Sequence, residues 1–125
     1  MINYNNKKFW SVENSANGEV SGDTVFHYRQ EGDVVWGSYT GGSIRFGNLI
    51  ARADQNRELD MRYQHLSEDG TFKTGICRSK PEILTDGRIR LHEAWQWTSG
   101  DQSKGSSIIE EIKSEPTTFN FKLSN

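Results

Sequence analysis

The chain has 125 residues, with 15 Lys or Arg against 17 Asp or Glu, so its formal net charge is −2. That balance excludes the strong basic excess that is typical of a general nucleic-acid-binding surface. No apolar run approaches the roughly 18 to 20 residues of a membrane-spanning helix, and the opening MINYNNKKFW contains no apolar signal segment. We therefore expect a single cytoplasmic domain over residues 1–125, with neither nucleic acid nor membrane as a partner.

Cysteine and histidine usage argues against a metal or a cofactor. Cys77 is the single cysteine, which excludes an intrachain disulfide and a cysteine-based zinc site. We interpret it as a small hydrophobic residue on the Gly75 face of its strand, because no Cys-His-Asn pattern surrounds it. The histidines, His27, His65 and His92, lack metal-ligand spacing. We predict no metal site, no cofactor and no catalytic residue.

Short alternating runs, separated by turn signals about every 8 to 12 residues, predict an all-β fold. No segment holds a helical period over about 11 residues. Residues 107–113 suit either a strand or one helical turn, whereas residues 118–123 alternate as a last strand. The predicted strands are residues 7–14, 23–30, 34–40, 43–53, 58–66, 71–79, 82–85, 88–98, 107–113 and 118–123.

Nine or ten strands joined by short loops should pair antiparallel with their neighbours in the chain. Hairpin turns are expected at Asp69-Gly70 and at Asp86-Gly87. An open sheet of that size would expose its edges, whereas closure into an up-and-down β-barrel removes them. The barrel is the predicted architecture, with little or no helix, and a β-sandwich is the alternative.

One predicted strand changes parity within its own length. In SIRFGNLIARA, Ile44 and Phe46 share one face while Leu49 and Ala51 share the other. An interior glycine at such a switch is typical of a bulge or a sharp bend, so we predict one at Gly47.

The strand RIRLHEAWQWT presents an apolar face that contains one carboxylate. Its odd positions are Ile89, Leu91, Glu93, Trp95 and Trp97. If that face points inward, Glu93 needs a partner or a proton, because an unpaired buried carboxylate is costly. The candidate partners are Arg62, Arg78, Tyr63, His65 and His27.

Three interpretations of Glu93 remain open. It forms a structural pair that seals the barrel interior, or it anchors a small ligand in an apolar cavity of a few hundred Å³. General acid or base work is the third, and it would need a nucleophile or a metal nearby. His92 cannot join Glu93 in such a site, because adjacent strand residues point to opposite faces.

Aromatic side chains supply the other predicted parts of a binding site. Trp95 and Trp97 lie two residues apart on one face and would form a flat wall for a ring-shaped or apolar ligand. The loop 99–107 is either a lid at one barrel mouth or a long hairpin loop. The candidate ligand-binding residues are Glu93, Trp95, Trp97, Tyr63, His65, Arg62 and Trp36.

Four stretches of the sequence resemble a family of small bacterial β-barrel proteins. They are TVFHYRQEGDVVWGSYTGGSI, LDMRYQHL, DGRIRLHEAWQWTSGD and KGSSIIEE, and the resemblance extends over roughly residues 3 to 113. It implies a calycin-like barrel, in the company of lipocalins and avidins. Members of this family often carry the label N-acetylglutamate synthase. Acetyl transfer from coenzyme A normally uses a pyrophosphate-cradling loop that opens a helix, and YTGGSIRFG instead places its glycines between predicted strands.

Three functions follow in order of preference. The first is non-catalytic binding of a small, partly apolar molecule inside the barrel. The second is a structural or interaction module with a filled barrel. The third is an enzyme, including the synthase that the label names. We expect a small molecule as the partner, and either a monomer or a homodimer.

Overall fold

A computed structural model describes residues 1–113 as eight β-strands closed into a barrel. Each strand pairs antiparallel with the next, and β1 pairs with β8 to close the ring. The predicted up-and-down barrel is therefore confirmed, and the sandwich is wrong. The strands are β1 (Lys7–Asn14), β2 (Val25–Glu31), β3 (Val34–Gly41), β4 (Ile44–Ala53), β5 (Leu59–Ser67), β6 (Phe72–Ile83), β7 (Ile89–Trp97) and β8 (Lys104–Glu111).

The described residues contain no helix long and apolar enough to cross a membrane. Residues 107–111 of the predicted run 107–113 belong to strand β8, which begins at Lys104 and ends at Glu111. The predicted last strand, 118–123, lies outside the described residues.

Two predicted strands, 71–79 and 82–85, are one strand. The β6–β7 register continues from Ser79 through Pro81 to Ile83 without a break. Beyond Ser79, β6 pairs with β7 but no longer with β5. Proline has no backbone N–H to donate, and it is tolerated at this position because β6 has no second neighbouring strand there that would need one. Pro81 therefore lies within β6 and does not separate two strands.

The register shift in β4 lies between Ile44 and Phe46, not at Gly47 as predicted. Ile44 is buried and Phe46 is 53% exposed, so the strand has changed face before it reaches the glycine. Gly47 has a different role. A Cβ atom at this position would clash with the Tyr39 ring, so glycine permits the ring to lie against the strand.

One end of the barrel is filled by side chains and closed by the N-terminal segment. Phe9, Leu59 and Leu91 are fully buried there, together with Tyr4 from the segment itself. The Tyr4 hydroxyl donates to the carbonyl of Arg57 at 2.6 Å, and Arg57 Nε donates to the carbonyl of Ile2 at 3.0 Å. These bonds tie residues 1–6 to the β4–β5 loop, so this end is blocked.

The opposite end is crossed by the β1–β2 loop, residues 15–24, which we call the lid loop. The two strands that it joins pair with β8 and β3, yet the loop itself bonds to β7 and to β5, and β5 lies across the barrel. Trp97 Nε1 of β7 donates to the carbonyl of Asn17 at 3.1 Å, and His65 of β5 bonds to Glu19. The loop must therefore lie across the mouth.

Candidate functional site

A cavity lies in the barrel beneath the lid loop, and its largest lining side chains are aromatic. Its volume is about 50 Å³. This is room for roughly three to five waters at about 10 to 15 Å³ each, less than the few hundred Å³ predicted. An eight-stranded barrel is just wide enough for its interior side chains to fill it, and here those side chains include large rings such as Phe26, Tyr28, Tyr39, Tyr63, Trp95 and Trp97.

Glu93 lines this cavity between two serines. Ser79 of β6 and Ser107 of β8 lie opposite it in the strand register, at the same level of the barrel. The Ser79 hydroxyl donates to Oε2 at 3.0 Å, and the Ser107 hydroxyl donates to Oε1 at 3.0 Å. Burial raises the pKa of the Glu93 carboxyl to about 6, and the two serine hydrogen bonds only partly offset that rise. Glu93 is thus anchored, but by neutral groups.

The predicted partners of Glu93 are wrong. Arg78 lies on the outer surface, 3.5 Å from Asp54, and His65 bonds to Glu19. Tyr63 lines the cavity but forms no hydrogen bond to Glu93 within residues 1–113, and His27 is on the outward-facing side of β2. The sequence did not indicate the serines, because the register between strands decides which residues lie beside Glu93.

Two buried polar atoms in the cavity lining have no hydrogen-bond partner among the described residues. They are the Tyr28 hydroxyl and Asn14 Oδ1. Asn14 Nδ2 donates to the carbonyl of Val20 at 2.6 Å, which fixes the amide so that Oδ1 is the free atom. Burial, followed by the charge of Glu93, raises the pKa of Tyr28 well above its ordinary value, so its hydroxyl is neutral. A buried polar atom without a partner costs about 1 to 3 kcal/mol.

Trp95 and Trp97 share the inward face as expected, but their rings are tilted by 57° against each other and do not form the flat wall that was predicted. The ring centroids of Trp95 and Trp97 are 5.4 Å apart, and that of Tyr63 lies 5.9 Å from that of Trp97. Two of these rings pack directly against glycines of neighbouring strands. A Cβ at Gly75 would clash with the Tyr63 ring, and one at Gly105 would clash with the Trp95 ring. The space that Gly75 leaves is therefore taken by Tyr63.

Two of the predicted site residues lie outside the barrel. Trp36 of β3 and Arg62 of β5 both stand opposite Ile50 of β4 on the outer face. Trp36 is 40% exposed, and Arg62 pairs with Asp60 at 2.7 Å. Neither lines the cavity. Side chains alternate along a strand, so Arg62 points outward because Tyr63 points inward. The structure brings together Glu93, Trp95, Trp97, Tyr63 and His65.

The lid loop contributes a residue that the sequence patterns did not indicate. Glu19 accepts hydrogen bonds from His65 Nε2 at 2.9 Å and from Ser67 Oγ at 2.7 Å, and it pairs with Lys73 Nζ at 2.8 Å. Burial alone would raise the pKa of this carboxyl, but the bonds from Lys73, Ser67 and His65 outweigh it and lower the pKa to about 2. Glu19 therefore holds the lid loop down as an anion.

The family is decided by one comparison. The sequence profile described as avidin-like protein matches residues 2–112. The chain belongs to the avidin-like protein family. The eight-stranded closed barrel agrees with this membership and with the calycin-like fold that the resemblance implied. Searches of the curated proteins and of the solved structures returned no match.

The avidin-like barrel contains no group of three or more His, Cys, Asp or Glu side chains placed to hold a metal ion within residues 1–113. His65 uses Nε2 for Glu19 and Nδ1 for the Tyr39 hydroxyl, at 2.9 Å each. His92 lies on the outer face, where it bonds to Glu82 at 2.8 Å. What the interior offers is a carboxylate, two unpartnered polar atoms and aromatic walls, which is the composition of a small-molecule site.

Proposed function

We propose that this avidin-like barrel binds a small, partly apolar molecule in the cavity beneath the lid loop. Glu93 is the polar anchor, and Trp95, Trp97 and Tyr63 are the apolar walls. The observation that carries the proposal is the pair of unpartnered polar atoms, Tyr28 Oη and Asn14 Oδ1, in the same cavity as Glu93. A bound molecule would satisfy both atoms and recover their cost of burial.

The cavity limits the size of the molecule. A cavity of about 50 Å³ admits only a few non-hydrogen atoms when the lid loop is closed. A larger molecule would need the loop to move aside. Polar side-chain bonds hold the loop, and Val20 packs against the core. Such a segment can open without breaking the strand pairing of the barrel.

Cys77 allows a matched test of the site. Its side chain lies in the cavity lining, and it is 7% exposed. A larger side chain at this position would fill the cavity, whereas a smaller one would enlarge it. We would screen soluble fragments of about three to six non-hydrogen atoms by ligand-observed NMR against the wild type, Cys77→Leu and Cys77→Ala.

We expect some fragments to bind the wild type and Cys77→Ala, and to lose at least tenfold in affinity for Cys77→Leu. Near-ultraviolet circular dichroism shows whether both variants keep the packed interior. Fragments that bind the folded Leu variant as tightly as the wild type would place binding elsewhere and contradict the proposal.

A further inference from the structure

The cavity contains a negative charge that the described residues do not balance. Two carboxylates line it, and Glu19 is compensated by Lys73 at 2.8 Å. Glu93 receives hydrogen bonds from hydroxyl groups only, and within residues 1–113 it pairs with no Lys, Arg or His. An ionised carboxylate in such surroundings is costly unless a cation or several donors approach it.

The hydrogen-bonding groups of the cavity favour a donor as the ligand. Each oxygen of Glu93 accepts one serine hydrogen bond and retains a further lone-pair direction. Asn14 Oδ1 can only accept, and the Tyr28 hydroxyl can do either. A ligand rich in acceptors would therefore leave Glu93 and Asn14 unsatisfied.

The aromatic side chains that line the cavity also favour a cation as the ligand. Aromatic rings attract positive charge to their faces, most strongly when the site is shielded from water. Trp95, Trp97, Tyr39, Tyr63 and Phe26 line the cavity that contains Glu93. Outside it, Lys73 Nζ lies 5.3 Å from the centroid of Trp97.

We infer that the ligand is a small organic cation of the methylated-ammonium class that retains at least one N–H, bound with its N–H toward the Glu93 carboxylate and its methyl groups toward the aromatic walls. This inference rests on the proposed binding function and specifies its ligand. The size of the cavity limits the cation to a few non-hydrogen atoms while the lid loop is closed.

Charge can be separated from shape with a matched pair of probes. Tetramethylammonium and tert-butanol have nearly the same shape and number of non-hydrogen atoms, but only the first is charged. Methylammonium and trimethylammonium extend the series to smaller cations with N–H donors. Affinities would be measured by NMR titration at pH 8 for the wild type, Glu93→Gln and Glu31→Gln, the last removing an exposed carboxylate at the blocked end of the barrel.

We expect at least one cation of the series to bind the wild type at least tenfold more tightly than tert-butanol. Glu93→Gln should lose that preference and Glu31→Gln should keep it. Equal binding of tert-butanol and the cations would overturn the inference while leaving the binding function intact. If no cation binds, the inference is wrong, and the fragment screen decides separately whether the binding function also fails.

The pH dependence in the wild type is a second readout that needs no variant. The titratable groups that face Glu93 are Tyr28 of β2, Tyr39 of β3, Tyr63 of β5 and Cys77 of β6, and burial raises the pKa of each. These groups stay neutral at pH 8; His65 and Glu19 line the same cavity and bond to each other. The methylated ammonium ions keep their charge between pH 5 and pH 8, so the affinity of each cation that binds should fall at least threefold from pH 8 to pH 5, as Glu93 takes up a proton. An affinity that does not change over this range would overturn the role of Glu93.

Discussion

Glu93 and Glu19 lie in the lining of one cavity, and their surroundings move their pKa values in opposite directions. Burial dominates at Glu93 and raises its pKa to about 6, because only two serine hydroxyls act against it. At Glu19, the bonds from Lys73, Ser67 and His65 overcome burial and lower the pKa to about 2. The first carboxylate therefore destabilises the empty fold when ionised, and the second stabilises it.

The position of Glu93 was predictable, whereas its environment was not. The alternation of RIRLHEAWQWT indicated an inward carboxylate beside two tryptophans. Ser79 and Ser107 carry no signal of their own in the sequence, since any small residue suits a barrel interior. Their role follows from the register of β6 and β8 against β7.

Glu93→Gln should change how stability depends on pH. The folded pKa of about 6 exceeds the unfolded value, so the folded chain holds the proton more tightly. The contribution of Glu93 to the free energy of unfolding of the wild type should therefore fall by about 2 kcal/mol as the pH rises from about 4.5 through 6 and beyond. Glutamine does not titrate, so the variant should lack this fall.

Urea unfolding from pH 4.5 to pH 8 measures the effect. As the pH rises over that range, the free energy of unfolding of Glu93→Gln should increase relative to that of the wild type by up to about 2 kcal/mol. Parallel curves for the two proteins would mean that the pKa of Glu93 is not raised in the fold.

At the scale of elements, the alternating runs predicted the strands well, whereas they did not predict irregular features such as the lid loop. Alternation separates the two faces of a strand, so it predicted the inward residues of β5 and β7. The same rule places Arg62 on the face opposite Tyr63, so it could have kept Arg62 out of the predicted site. The lid loop could not be predicted, because SANGEVSG has no period and its partners lie on strands distant in sequence.

Glu19→Gln should loosen the lid loop without disturbing the barrel. The substitution removes the charge that pairs with Lys73 and weakens the hydrogen bonds from His65 and Ser67. Amide hydrogen exchange in residues 15–24 should accelerate at least fivefold, while exchange in the strands stays close to the wild type.

Glu31→Gln is the matched control for this measurement, because it removes an exposed carboxylate from the end of β2 that is remote from the loop. Its exchange pattern should equal that of the wild type. Unchanged exchange in the lid loop of Glu19→Gln would show that Glu19 does not hold it.

At the scale of the whole molecule, the barrel is blocked at one end and covered at the other. Residues 1–6 plug the first end through Tyr4 and Arg57, and the lid loop spans the second through Trp97 and Glu19. Entry of a ligand is therefore expected at the lid-loop end. The closed barrel followed from the number of strands and their short connections, whereas the plug and the small cavity depend on packing that alternation does not encode. The cytoplasmic location and the monomer or homodimer stay predictions.

The most direct test of the binding function is the native mass of the protein purified from the cells that naturally make it. We predict that the wild type carries an added mass, constant between preparations, that denaturing conditions remove and that Cys77→Leu lacks. A native mass equal to that of the bare polypeptide, from protein shown to be folded, would contradict the account.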